Sequence, residues 1–465
     1  MLYQQIAEQL GQQIRQGVLT TGQRVPSIRR LHKEWGVSQS TAMMALSLLE
    51  AQGLIEARPK SGFYVRYESQ SAARITTISA PVEVTRHALI SRVLHQSREP
   101  DVMHLGAAVP EAGFLPVDIL RRVTHRCLRE NPELMTAYAF APGSLVLRQM
   151  LALKLSQQGI KLEASELSLT QGCQEALSLA LQSVVNPGDL VAIESPAYHG
   201  LLQLLEALGL KALEIPCDLA SGMNPEALAE ALRQWPIKAL VVSPNFSNPT
   251  GSLMPEPAKQ QLLSVTQDYD LPVIEDDTYA ELTHGRRVPV PLKAWDTSGR
   301  VLYCSAVSKT FAPGFRVGWI AAGRYHQQVQ QLLTVTTMAS HALSQQVVAT
   351  FMQGLEYQRH IQRVRRRYRQ QLADLCQCLQ SQGLAHWRYV MPQGGFLLWL
   401  ALGEGVDALQ LHEWLLDRGV SIMPGSLFST SEQYRHCIRI STAVEAPDWP
   451  RLVAWLRTFE ESQTG

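Results

Sequence analysis

Ser308-Lys309-Thr310-Phe311-Ala312-Pro313-Gly314-Phe315-Arg316 is the stretch whose reading decides the fold of this chain. It follows an apolar run, Val301-Leu302-Tyr303, that reads as a buried strand. A lysine at a strand end, shielded from water, loses its proton more easily and becomes an amine nucleophile toward an aldehyde. The arginine past the Pro-Gly turn has the planar, two-donor geometry that grips a phosphate. Aldehyde and phosphate together describe pyridoxal 5'-phosphate. A surface lysine on a turn is the alternative that these nine residues leave open.

Upstream, strand-like runs alternate with helical ones. Ser168-Leu169, Leu190–Ile193, Ala239–Val242, Pro272–Ile274 and Arg300–Tyr303 are each followed by polar turns or helical spacing. Such alternation predicts a mainly parallel sheet with helices on both faces, whose ligands lie beyond the carboxyl ends of the strands. The chemically suggestive residues fall at those ends. A glycine turn, Thr170-Gln171-Gly172-Cys173-Gln174, opens a helix whose free amides suit a phosphate. Tyr198 can stack on a ring or simply pack. Asn248 projects from Asn-Pro-Thr-Gly. Asp276, within Glu275-Asp276-Asp277-Thr278-Tyr279, puts a carboxylate where a pyridine nitrogen could be kept protonated.

Their order and spacing resemble a fold type I aminotransferase, from about residue 100 to the end. The resemblance implies an α/β fold of the pyridoxal-phosphate-dependent transferases with a small C-terminal α+β subdomain. It implies that Lys309 bonds to the aldehyde, Asp276 pairs with the ring nitrogen, and Asn248 and Tyr279 bond the ring hydroxyl. Tyr198 stacks on the ring, and Cys173, Gln174, Ser308 and Arg316 hold the phosphate. Tyr138 matches the tyrosine that reaches the other subunit's phosphate, which implies a homodimer. Arg439, in Ile438-Arg439-Ile440-Ser441, matches the arginine that grips a carboxylate. Cys173, Ala306 and Ala108 depart from the commoner residues at their positions, and the Ala108 methyl narrows the substrate pocket.

The first 66 residues have a different character. Ile6, Leu10 and Ile14 share one helical face. Pro26-Ser27 opens a second helix, and Gly36-Val37-Ser38 turns into a third from Gln39, with Ala42, Ala45, Leu46 and Leu49 inward. Two short strands then flank Pro59-Lys60-Ser61-Gly62. Three helices and a hairpin predict a winged helix-turn-helix. The segment carries 8 Lys and Arg against 4 Glu, within a chain of net charge +1. A basic module on an acidic body suits double-stranded DNA.

Gly17, Leu19, Gly22, Arg24, Pro26, Ser27, Arg29, Gly36-Val37-Ser38 and Ser61-Gly62-Phe63 resemble the GntR-type winged helix. The resemblance implies that Arg29 touches phosphate or a base edge. Ser38, Gln39, Ser40 and Thr41 would enter the major groove, while Lys60, Ser61 and Gly62 approach the minor groove. Many relatives carry Arg where Gln39 stands; glutamine suits adenine, arginine guanine.

Polar, patternless residues over 67–85 predict a flexible linker, leaving 86–465 as the second domain. A GntR winged helix joined to an aminotransferase-like body is the arrangement of MocR-type regulators. That resemblance implies regulation of transcription through pyridoxal phosphate and a small amine or amino acid effector. A catalytically active aminotransferase with a DNA-binding appendage is the alternative. Seven scattered cysteines without metal-ligand spacing predict no metal site and a reducing, cytoplasmic setting. No run reaches the length of a membrane span. The basic run Arg359–Arg369 reads as a solvated helix face, with a second DNA-facing surface as the other possibility.

Overall fold

The computed structural model describes residues 2–15, 19, 22–52, 54–58, 61–65, 80–96 and 102–464. They form two compact units, one of the described residues up to 65 together with Arg388–Met391, and one of the other described residues from 80 onward.

In the first unit, helices α1 (Leu2–Arg15), α2 (Ile28–Trp35) and α3 (Gln39–Ala51) precede the antiparallel strands β1 (Ile55–Arg58) and β2 (Gly62–Val65). The local sequence sets these boundaries. Ser27 caps α2 by accepting from the Arg30 amide at 3.3 Å. Gly36, at φ 62°, ends it in the left-handed conformation that glycine adopts without a Cβ penalty. The expected inward residues Ala42, Ala45, Leu46 and Leu49 are all fully buried, with Ile6, Leu10, Ile14 and Leu31 against them.

The second unit is organised by one large sheet. Its main path runs 82–83, 211–218, 190–195, 237–242, 273–276, 301–306, 318–321, 167–170. Strands 211–218, 190–195, 237–242, 273–276 and 301–306 are mutually parallel. Gly318–Ala321 is antiparallel to both its neighbours, so Leu167–Thr170 points the same way as the five. The antiparallel strand was not anticipated. A parallel return needs a crossover of a dozen or more residues, and the stretch 307–317 is too short for one. The strands are apolar on both faces because helices cover both, as in Leu190–Ser195, buried at every position.

The expected linker lies mostly outside the described residues. At its end Val82 and Glu83 pair with Ala212 and Lys211, and Val84 is buried. The body therefore reaches back to residue 82, ahead of the expected start at 86. An edge strand of two paired residues leaves no periodicity to read.

Toward the C-terminus, Leu397–Ala401, Cys437–Ser441 and Met423–Pro424 form an antiparallel sheet. The helices Ala408–Leu416 and Trp449–Thr464 belong to this smaller subdomain. Met103–His104 pairs with Val420–Ser421, which brings the segment beginning at residue 103 to it. Among the described residues no helix is long and apolar enough to cross a membrane, and no cluster of metal-binding side chains occurs.

Candidate functional site

Past the carboxyl ends of the parallel strands a group of polar side chains comes together. Lys309 lies just past strand 301–306, partly buried, and its Nζ donates to the Ala108 carbonyl at 2.6 Å. Burial, reinforced by the Arg439 charge, lowers its pKa from 10.5 to about 8. Asp276 ends strand 273–276. Its Oδ1 accepts from the Thr278 amide and hydroxyl and faces the Cys173 thiol at 3.5 Å. Oδ2 takes no bond among the described residues. Burial raises the Asp276 pKa, so the carboxylate is short of positive partners.

Tyr279 is buried, and its hydroxyl has no hydrogen-bond partner. A buried hydroxyl left unpaired costs about 1–3 kcal/mol, so a ligand oxygen or nitrogen there would be welcome. Tyr198 immediately precedes the helix His199–Ala207, edge-on to the His199 ring at a centroid distance of 4.9 Å.

The helix Cys173–Val184 starts at Gly172 with no side-chain cap. Its first amides have no intrahelical partner and form an anion-binding end. Gly172 has φ 87°, and a Cβ on it would run into the Arg316 guanidinium. That guanidinium donates to the Ser308 hydroxyl at 3.3 Å and to the Gln171 carbonyl at 3.1 Å. Arg316 itself is left-handed, at φ 52°, a conformation costly for a non-glycine residue and concentrated at functional sites. The Gln174 side chain turns away to the Gly200 carbonyl at 2.9 Å, leaving only its backbone amide for an anion.

Arg439 is fully buried on the central strand of the smaller sheet. Its Nη1 donates to Asn248 Oδ1 at 2.8 Å and its Nη2 to the Gly106 carbonyl, while Nε has no partner. No carboxylate pairs with it among the described residues. Burial lowers its pKa to about 10. A buried guanidinium without a counter-charge is an open seat for a carboxylate. Tyr138 is away from this group. It lies on strand Tyr138–Phe140, 67% exposed, with its ring stacked on Phe140.

In the first unit, Arg29, Gln39 and Ser40 are exposed, and Thr41 is half-buried. Ser38 is exposed too. Its hydroxyl caps α3, accepting from the Thr41 amide at 3.1 Å, and also meets the hydroxyls of Ser40 and Thr41. Met43 and Met44 are exposed on the same helix, and sequence reasoning missed them. Ser61 Oγ bonds the Tyr64 hydroxyl at 2.6 Å, and Gly62 is exposed with φ 110°. Lys60 lies outside the described residues. Arg58 sits over the Tyr64 ring at 4.5 Å, a second basic group on the hairpin.

The sequence pattern also missed the carbonyls of Gly106 and Ala108 as partners of Arg439 and Lys309. Backbone acceptors carry no residue signature, so nothing in the sequence pointed to them.

Fold and site together define a two-part class: a winged helix-turn-helix joined in one chain to a body with the aminotransferase fold. The chain belongs to the aminotransferase class I and II family, whose model matches residues 101–455, and residues 2–65 match the gntR family of bacterial regulatory proteins. Among its relatives are two proteins of Escherichia coli (strain K12). "Uncharacterized HTH-type transcriptional regulator YjiR" is 36% identical over 445 residues, 95% of each chain. "Uncharacterized HTH-type transcriptional regulator YdcR" is 36% identical over 443 residues, again 95% of each. Among solved structures, LysN, the alpha-aminoadipate aminotransferase of Thermus thermophilus complexed with N-(5'-phosphopyridoxyl)-L-leucine, superposes with a TM-score of 0.74. It is 26% identical and covers 81% of this chain and 95% of its own.

Proposed function

We propose that this protein is a DNA-binding regulator of transcription, of the MocR type, that binds pyridoxal 5'-phosphate and reads out a small amine or amino acid through its body. One observation carries the reading. The same chain that bears a basic winged helix holds Lys309, with its lowered pKa, and Arg439, buried without a counter-ion, in one group.

The residues fit the cofactor. The uncapped helix start at Gly172 to Gln174, Ser308 and Arg316 would hold its phosphate. Asp276 Oδ2 would face the ring nitrogen, the Asn248 amide and the Tyr279 hydroxyl the ring hydroxyl, and Tyr198 the ring face. When bound, the group supplies an electrophilic carbon for primary amines and an electron sink beyond it. Lys309 brings the amine for attachment, and its proton comes off near neutral pH. Arg439 would orient an incoming amino acid by its carboxylate, with two parallel bonds.

Tyr138, exposed in the single chain, suits a homodimer in which it reaches the other subunit's phosphate. Two copies also present two winged helices to two half-sites. Arg29, Ser38, Gln39, Ser40, Thr41, Lys60, Ser61 and Gly62 are the proposed DNA contacts, and Ser38 also caps the start of α3. An effector alters DNA binding only as far as its affinity differs between two states of the body, typically by about 1–3 kcal/mol.

The near-complete catalytic constellation also supports a second reading, a working aminotransferase. Three experiments test these readings. Borohydride treatment of coloured protein should fix a phosphopyridoxyl group on Lys309, and colourless protein that gains no such mass would end the cofactor reading. Gel shifts with the DNA upstream of its own coding region, with and without the cofactor, test the regulator; no shift under any condition would end that one. Single-turnover reactions with a panel of amino acids, yielding keto acids at a useful rate, would favour the enzyme.

A further inference from the structure

One cluster on the second unit takes no part in this group. The helix Val117–Glu130 buries Val123 and Cys127 and turns Arg121, Arg122, His125, Arg126 and Arg129 to solvent. These five line an open hollow of about 280 Å³. They recur at i, i+1, i+4, i+5 and i+8, one face of a helix, over about 12 Å of axis.

A second helix extends this face. Arg122 pairs with Glu356 at 3.4 Å, and Arg367 donates to the Gly113 carbonyl, just before the first helix begins. The two contacts fix an antiparallel arrangement. Glu356, Arg359 and Arg363 follow at i, i+3 and i+7 on that side of the helix Leu355–Gln382. Arg126, Arg129 and Arg359 have no carboxylate partner among the described residues.

The charge balance of the two helical segments is uneven. Residues 117–130 and 355–370 hold ten arginines against Asp118, Glu130 and Glu356. With +1 for the chain and +4 for the first 66 residues, everything else sums to −10. Arginine, rather than lysine, supplies all ten cations, which suits planar pairing with phosphate. A merely soluble surface would intersperse the two signs.

We propose that this arginine face binds the phosphate backbone of duplex DNA, as a second contact on DNA outside the half-sites read by the winged helices. A face about 12 Å long spans three to four phosphate steps of one strand, at 3.4 Å each. Contacts to phosphate carry no sequence information, so the contribution of this face is independent of sequence. The inference rests on the reading of the chain as a DNA binder, and the test separates the two.

The full-length protein is titrated by fluorescence anisotropy over a range of salt. One probe is the upstream duplex trimmed to its footprinted half-sites; the other is the same duplex with its flanks. The variant replaces Arg126, Arg129, Arg359 and Arg363 together with Gln, and a companion replaces them with Lys. Circular dichroism and thermal melting check that both variants fold as the parent does. The Gln variant is expected to bind the trimmed duplex as the parent does. On the extended duplex its plot of log affinity against log salt should be shallower by up to about 3.6, at 0.9 per lost phosphate contact. The Lys variant should keep most of the slope. Equal slopes for parent and Gln variant on the extended duplex would overturn the proposal, as would an equal loss on both duplexes. Loss of binding to inorganic tripolyphosphate alone, with both duplexes unaffected, would overturn it in favour of a small-anion site. If the parent binds neither duplex, the DNA reading itself has failed. A protein in which Arg29→Ala weakens the trimmed duplex while the Gln variant changes nothing keeps that reading and loses this one.

Discussion

Two buried cations lie behind the same strand ends and are treated in opposite ways. Lys259 is fully enclosed and fully answered: its Nζ donates to Asn245 Oδ1 at 2.6 Å and to the Val290 carbonyl at 2.7 Å. Asn245 passes the bonding on to Asp277 Oδ1, whose other oxygen takes the Tyr303 hydroxyl. Arg439 is equally enclosed, yet its Nε is unpaired and no carboxylate answers it among the described residues. A satisfied buried network holds a fold in one arrangement. An unsatisfied one marks a place the fold keeps for something else. The neighbouring Asp276 and Asp277 divide along the same line, one turned to the candidate site and one into the network.

The sharpest way to break this contrast is to remove the answered cation, Lys259, and a second cation of the site, Lys309, whose amine donates only to the Ala108 carbonyl among the described residues. Lys259→Met strands Asn245 and Asp277 and should cost about 3–5 kcal/mol in denaturant unfolding. Lys309→Met should leave the cofactor-free protein as stable as before or more so. Equal losses would erase the distinction.

The pH dependence sharpens it further. The Lys309 pKa falls on folding from 10.5 to about 8. Between those values the unfolded chain holds more protons than the folded one, so stability rises with pH across that window. The penalty is fully present below about pH 8 and is gone above 10.5. The parent should therefore gain on Lys309→Met by at most about 3 kcal/mol through this range, in cofactor-free protein. A flat difference would mean that the amine titrates like one in water.

Next in size, Arg439→Gln should weaken an amino acid by about 1.5–3 kcal/mol, the worth of bonds to a charged group. A simple amine of the same side chain should be unaffected. Titration of the visible absorbance reads both. The smallest effect belongs to the first unit, where Ser38→Ala removes the α3 cap and should cost about 1 kcal/mol of thermal stability.

Much of this was legible in the sequence, and for identifiable reasons. Lys309, Asp276 and Asn248 stand at strand ends because the topology puts ligands there, and spacing along the chain reveals topology. The winged helix was legible to within a residue or two because its caps and glycines are local signals. The Ser38 cap was legible too, since a hydroxyl just before a helical run is the local signal of a helix start. The Asn248–Arg439 bond was hidden because it joins residues far apart in sequence. Val82–Glu83 and Gly318–Ala321 were hidden because pairing partners, rather than their own composition, make them strands.

The Asn248–Arg439 bond has one more consequence. An amide presents oxygen at one end and hydrogen at the other. While the guanidinium claims the oxygen, the nitrogen must look elsewhere, and toward the ring hydroxyl of the proposed cofactor it could only donate a hydrogen bond. An incoming carboxylate competes for that guanidinium. Should it win, the amide would be released to rotate, and the spot that donated a hydrogen bond could accept one. A visitor on one strand would thereby reset the polarity felt by a guest on another, with no movement of the chain larger than the turn of one side chain.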